Sequence, residues 1–95
     1  AGPSAFGVSA VYPNPFNPAV TILFGLDRPG PVSIRVLDAY GRETAVLFEG
    51  RKSAGEFRIE WNGRDGSGMD AASGLYIIRM TAGDRTSSKK ALKIQ

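Results

Sequence analysis

The sequence predicts an all-β domain, an antiparallel sandwich of about seven strands. Three observations carry that prediction. Apolar and polar residues alternate strictly in one short run after another, the pattern of a strand with one buried face. Glycine and proline punctuate the gaps between those runs, where turns need them, and the 95 residues hold 12 glycines and 6 prolines. No stretch shows the periodicity of an amphipathic helix.

The first run, Phe6–Tyr12, places Phe6, Val8, Ala10 and Tyr12 on one side. Tyr12-Pro13-Asn14-Pro15-Phe16-Asn17-Pro18 follows, with three of the six prolines. Proline fixes φ, lacks an amide proton and pushes its predecessor toward extended backbone, so this stretch can be neither helix nor regular ladder strand. Its aromatics, Tyr12 and Phe16, anchor the start of the domain in this reading. Val20–Leu26 turns Val20, Ile22, Phe24 and Leu26 to one face. Asp27-Arg28-Pro29-Gly30 is a turn, and Pro31–Leu37 points Val32, Ile34 and Val36 inward, Ser33 and Arg35 outward. Asp38–Arg42 is a tight connection with Gly41 at positive φ. Glu43–Phe48 is a short strand and Glu49–Gly55 a polar loop.

Phe57, Ile59 and Trp61 alternate inward along Glu56–Trp61, with Trp61 as the core anchor. On the opposite face, Glu56, Arg58 and Glu60 read as a surface ladder of ion pairs. Asn62–Ser73 is the longest irregular piece. Gly74–Thr81 then sets Tyr76, Ile78 and Met80 on one face, while Leu75 and Ile77 make its start apolar on both. Ala82-Gly83-Asp84 turns the chain into Arg85–Gln95, with Leu92 and Ile94 inward and Lys93 outward. The general shape is immunoglobulin-like, without that fold's cysteine pair.

Composition narrows the chemistry. The length fits one domain: a sandwich over residues 6–95, preceded by a linker remnant over residues 1–5, as of a piece of a longer chain. There is no cysteine and no histidine. That removes the thiolate nucleophile, the commonest general base and the commonest transition-metal ligand. Adjacent residues on a strand point to opposite faces, so Ser87 and Ser88 are poorly placed for a dyad with Lys89 and Lys90. The expectation is a domain that is not an enzyme. The net charge of +3 comes from scattered residues and argues for solubility. Lysines near the C-terminus carry no interleaved aromatics, so nucleic acid is not expected, and the apolar runs are too short for membrane insertion. No cofactor is expected. The one metal candidate is calcium at Asp65, Ser67 and Asp70, a set with fewer oxygens than calcium wants and with residues that ordinary turns also use.

The ordered series Tyr12–Pro18, Pro29–Glu43, Ala54–Phe57, Trp61–Asp65, Ser67-Gly68, Ala72–Tyr76, Ala82-Gly83 and Lys90 resembles the type A C-terminal sorting domain of the type IX (Por) secretion system. It is equally similar to the immunoglobulin-like domain of flagellar-hook capping proteins. The resemblance implies a small β-sandwich without catalytic residues. It implies a module that directs a larger secreted protein, such as a hydrolase, across the outer membrane to the cell surface. The implied partners are the outer-membrane secretion apparatus and an N-terminal cargo domain of the same chain. The implied contact surface lies on the last two strands, at Gly74, Tyr76, Lys89, Lys90 and Lys93, with a partner sheet adding to an edge strand as the physical logic. The rival reading is an immunoglobulin-like interaction or spacer domain of a multidomain extracellular enzyme or assembly factor. A carbohydrate-binding module would need exposed aromatics for sugar stacking, and Tyr40 and Phe48 are the only candidates.

Overall fold

A computed structural model describes residues 5–94. The expected linker lies outside the described residues except for Ala5, and Gln95 lies outside them too. Among the described residues seven strands form: β1 (Gly7–Tyr12), β2 (Val20–Leu26), β3 (Gly30–Asp38), β4 (Glu43–Lys52), β5 (Gly55–Trp61), β6 (Gly74–Ala82) and β7 (Arg85–Lys93). They build an antiparallel sandwich, with order β1-β2-β5 in one sheet and β4-β3-β6-β7 in the other. The fold is the all-β, immunoglobulin-like sandwich that the alternation predicts.

The core forms where the two inner faces meet. Val20, Ile22, Phe24 and Leu26 of β2 join Val32, Ile34 and Val36 of β3 and Tyr76, Ile78 and Met80 of β6 in one buried cluster. Burial of each large side chain contributes about 1.5–3 kcal/mol before chain entropy is subtracted. At one end Trp61 holds the centre of an aromatic group. Its ring lies 5.6 Å from Phe16 and 5.0 Å, edge-on, from Tyr76. Its indole N–H donates to the Arg64 carbonyl at 2.8 Å, so the buried polar atom is satisfied.

Phe16 brings the proline segment into this group. All three X–Pro bonds of the segment are cis. Phe16 is 1% exposed, the anchor expected of it. Gly63, at φ +82°, lets the loop between β5 and β6 come down on the same segment. A Cβ there would meet the Pro18 carbonyl oxygen at 2.4 Å and Lys93 Cε at 3.0 Å. Gly41 has φ +84°, as the tight β3–β4 connection requires; Asp38 Oδ1 accepts from the Tyr40 and Arg42 amides there.

Four details of the sequence reading change. In β1, Val8 pairs with Phe24 but Ala10 pairs with Leu23, so Ser9 is the extra residue of a bulge. The bulge reverses the alternation: Val11 packs on the core and Tyr12, expected inside, is 43% exposed. Second, β4 runs to Lys52, and the expected polar loop shrinks to a turn at Ser53 and Ala54. As an edge strand β4 needs no apolar outer face, so its polar half looks like a loop in sequence.

The third change concerns β7. Ala91 and Lys93 face inward and are buried, whereas Leu92 and Ile94 are 41% and 49% exposed. The Gly63 loop lies against this strand end, close to Lys93 Cε. An alanine and the flexible stem of a lysine sit on the inner side there. Finally, Arg58 forms no ion pair with Glu56 or Glu60; the ion pairs among the described residues lie elsewhere.

Replacing Phe16 by Ala removes a buried ring that packs on Trp61 in the core. The expected loss is about 3–5 kcal/mol of unfolding free energy in a urea titration; a loss under about 1 kcal/mol would mark Phe16 as a surface residue.

Candidate partner-binding surface

The free edge of β7 is the first place to seek a partner strand, and the chain itself covers it. The Phe16 N–H donates to the Leu92 carbonyl at 2.8 Å, and the Ile94 N–H donates to the Phe16 carbonyl at 2.9 Å. Asn14 extends the contact with its side-chain amide: Nδ2 donates to the Lys90 carbonyl at 3.0 Å, and Oδ1 accepts from the Leu92 N–H at 2.9 Å. Further up, the Val8 N–H donates to Ser87 Oγ at 3.0 Å. From the Lys90 carbonyl to the Ile94 N–H the chain itself thus occupies outward groups of the edge at which a partner strand is expected to add. The opposite edge strand, β4, carries bulges at Leu47 and Thr44, and the Thr44 carbonyl accepts from the Gly66 N–H at 2.9 Å. Bulges and capping of this kind discourage edge-to-edge pairing.

The expected site residues divide. Tyr76 is buried because β6 sits between β3 and β7 and its even positions face the core. Its hydroxyl donates to the Ala72 carbonyl at 2.6 Å. Burial, with help from the charges of Asp38 and Asp65, pushes that phenol up. Lys93 is buried, as described above, and Gly74 opens β6 at φ +149°. None of these three offers a side chain to a partner. Lys89 and Lys90 do, since both are exposed.

Around Lys90 the outer face of the four-stranded sheet has a character that the sequence reading missed. Leu37 pairs with Ile77, Ile77 with Lys90, and Leu75 with Leu92. By strand alternation all of these point away from the core. Leu37 is buried yet stands outside the core cluster. Leu75 and Leu92 stay 38% and 41% exposed. Beside them Arg79 pairs across strands with Arg35 and Ser88. The signal was present in Leu75 and Ile77, which make the start of β6 apolar on both faces. A strand whose outer face meets only water has no need of that.

The loop with Asp65, Ser67 and Asp70 is closed on itself. Asp65 Oδ1 accepts from the Ser67 hydroxyl at 2.7 Å and from the Ser67 and Met69 amides, each at 3.0 Å. These bonds, the hydroxyl first, hold its carboxyl below the usual range. Asp70 instead pairs with Arg64 at 3.6 Å. The two carboxylates serve turn and ion-pair roles, and no group of three acidic residues gathers among the described residues. Of the two aromatics considered for sugar stacking, Tyr40 is 85% exposed, with the Arg42 guanidinium 5.2 Å from its ring centre, and Phe48 lies half-buried under Lys52.

Comparison with known proteins places this architecture. The family model described as the FlgD Ig-like domain matches residues 17–86, well over half of the chain. The chain belongs to the FlgD Ig-like domain family. No curated protein matches the sequence. Among solved structures, latent dimeric PorU of Porphyromonas gingivalis is similar over 99% of this chain with a TM-score of 0.74 and 20% identity, a likeness of fold. PorZ of the same organism, a surface component of the type IX secretion system, is 26% identical over 94% of this chain, with a TM-score of 0.60. The chain spans 10% of the PorU chain and 12% of the PorZ chain. FlgD of Xanthomonas campestris, whose structure bears on hook capping in flagellar assembly, is 25% identical over 96% of this chain and 67% of its own, with a TM-score of 0.63.

At the far end of this FlgD Ig-like domain, Arg85 fastens one sheet to the other. Its guanidinium makes two bonds to the Asp27 carboxylate, at 2.9 and 2.8 Å, and lies 4.3 Å from the centre of the Phe6 ring. Arg85 follows the β6–β7 turn and Asp27 follows β2, so the pair ties opposite layers. The Arg85 hydrogen bonds lower the Asp27 carboxyl from 3.8 to about 2. A carboxyl lowered by folding stabilises the fold above its unfolded value and loses that effect as pH falls through the folded one. Wild type is therefore more stable than D27N at neutral pH, and acidification from pH 4 to pH 2 narrows the gap. Chemical unfolding at several pH values measures it; a gap of equal size at pH 7 and pH 2 would contradict the ion pair.

Proposed function

We propose that the domain is a non-catalytic sorting and anchoring module, a type A C-terminal sorting domain of the type IX secretion system. In this reading it directs a larger secreted protein, such as a hydrolase, across the outer membrane to the cell surface. Its partners are the outer-membrane secretion apparatus and the cargo domain that precedes it. The observation that carries the reading is the likeness to PorZ, 26% identical over 94% of this chain, taken with the ordered motifs from Tyr12 to Lys90. The lack of histidine and cysteine in the sequence fits a domain without catalysis of its own. Recognition through the outer face of β6 and β7 suits a fold whose β7 edge is occupied.

A second reading has its own support. The match to the FlgD Ig-like model and the likeness to FlgD over 67% of that chain favour a structural module of an assembly factor. An export experiment separates the two. The whole domain is fused behind a fluorescent passenger that carries a periplasmic signal, in a bacterium with a type IX apparatus. Deleting only β6 and β7 would remove half of the larger sheet and unfold the domain, so the control is the passenger alone. The sorting reading predicts surface passenger with the domain, and periplasmic passenger without it or without the apparatus. Surface delivery of the bare passenger, or periplasmic retention of the fusion, would leave the assembly reading.

A further inference from the structure

The outer face of the four-stranded sheet carries an apolar patch of Leu75, Ile77 and Leu92 beside the buried Leu37. An apolar patch rimmed by polar residues on a small monomer marks an interaction surface. The charges around this one are unequally satisfied. Glu43 and Glu49 on β4 are both held by Arg35, at 2.6 and 3.2 Å. Arg79, two positions along β6 from Ile77, and Lys90, the cross-strand partner of Ile77 on β7, are exposed and pair with no carboxylate among the described residues. The face therefore presents leucine and isoleucine beside unpaired cations, with its own carboxylates already engaged.

We propose that this face is a docking surface for a protein segment that alternates apolar side chains with carboxylates. Its apolar residues would cover Leu75, Ile77 and Leu92, and its carboxylates would meet Arg79 and Lys90. A second copy of the chain does not fit, because apposing two such faces sets cation against cation with no free acid between them. Partner carboxylates supply the complement that the sheet withholds. The proposal rests on the reading of the domain as a recognised module, and its test contains no secretion apparatus, so each fails by itself.

The test uses the isolated domain, labelled with ¹⁵N, and a capped peptide of alternating leucine and glutamate as probe. A peptide with lysine in place of glutamate is the control. Amide shifts are expected on β6 and β7 around Leu75, Ile77, Arg79, Lys90 and Leu92, with the acidic peptide and not with the basic one. Affinity falls by roughly tenfold in R79E/K90E and also falls as salt rises. Both positions are exposed, so the variant folds, and its unfolding curve checks this; the milder R79A/K90A keeps the test open should it fail to fold. Equal binding of both peptides, unchanged affinity in the folded variant, or shifts confined to other faces would overturn the proposal. So would binding to anionic vesicles without binding to the peptide, which would make the face a membrane surface. A concentration-dependent dimer abolished by L92E would replace the acidic segment with a second copy.

Discussion

Phe16 is held from both sides, and the rest of the domain depends on that. Its ring packs 5.6 Å from Trp61 in the core, while its own N–H and C=O bond to Leu92 and Ile94 at the edge of β7. One residue thus joins the short sheet, through Trp61 of β5, to the last strand of the long sheet. The flanking prolines suit this work. They cannot continue a ladder past the contact, so the segment seals the edge without offering a new one. Gly63 completes the arrangement by letting the loop descend onto Pro18 and the Lys93 stem.

Sealing one edge redirects recognition. A sandwich invites strand addition at its open edges. Here β7 is covered by Asn14 and Phe16, and β4 is broken by two bulges. The surface that remains distinctive is a sheet face, where Leu75, Ile77 and Leu92 lie beside Arg79 and Lys90. The two ends of the sandwich also differ. The aromatic end is tied by backbone bonds and ring packing, the opposite end by the Asp27–Arg85 pair.

The sheets were legible wherever one face is buried and the other wet. Val20–Leu26 and Gly74–Thr81 read correctly because their large apolar side chains alternate in burial with their neighbours, broken only at Gly25. The failures share one cause, a neighbour that local pattern does not reveal. At Ser9 a bulge flips the parity of Tyr12. At Lys93 the Gly63 loop lies against the inner side, and a lysine stem goes in while Leu92 goes out. Beyond Phe48, a polar edge strand carries no apolar signal. The same limit shaped the candidate site. Lys89 and Lys90 were found because basic residues cluster there. Asn14 gave no signal, since its partners lie more than seventy positions away, and Tyr76 was assigned to a partner although its own alternation placed it in the core.

Amide hydrogen exchange at the end of β7 tests the central claim, the sealed edge, most directly. If the proline segment seals β7, the Leu92 and Ile94 amides exchange as slowly as ladder amides inside the sheet, and N14A frees Leu92 while leaving Ile94 protected. If both amides of the wild-type protein exchange at the rate of an open edge strand, the segment does not seal β7 and the account is wrong.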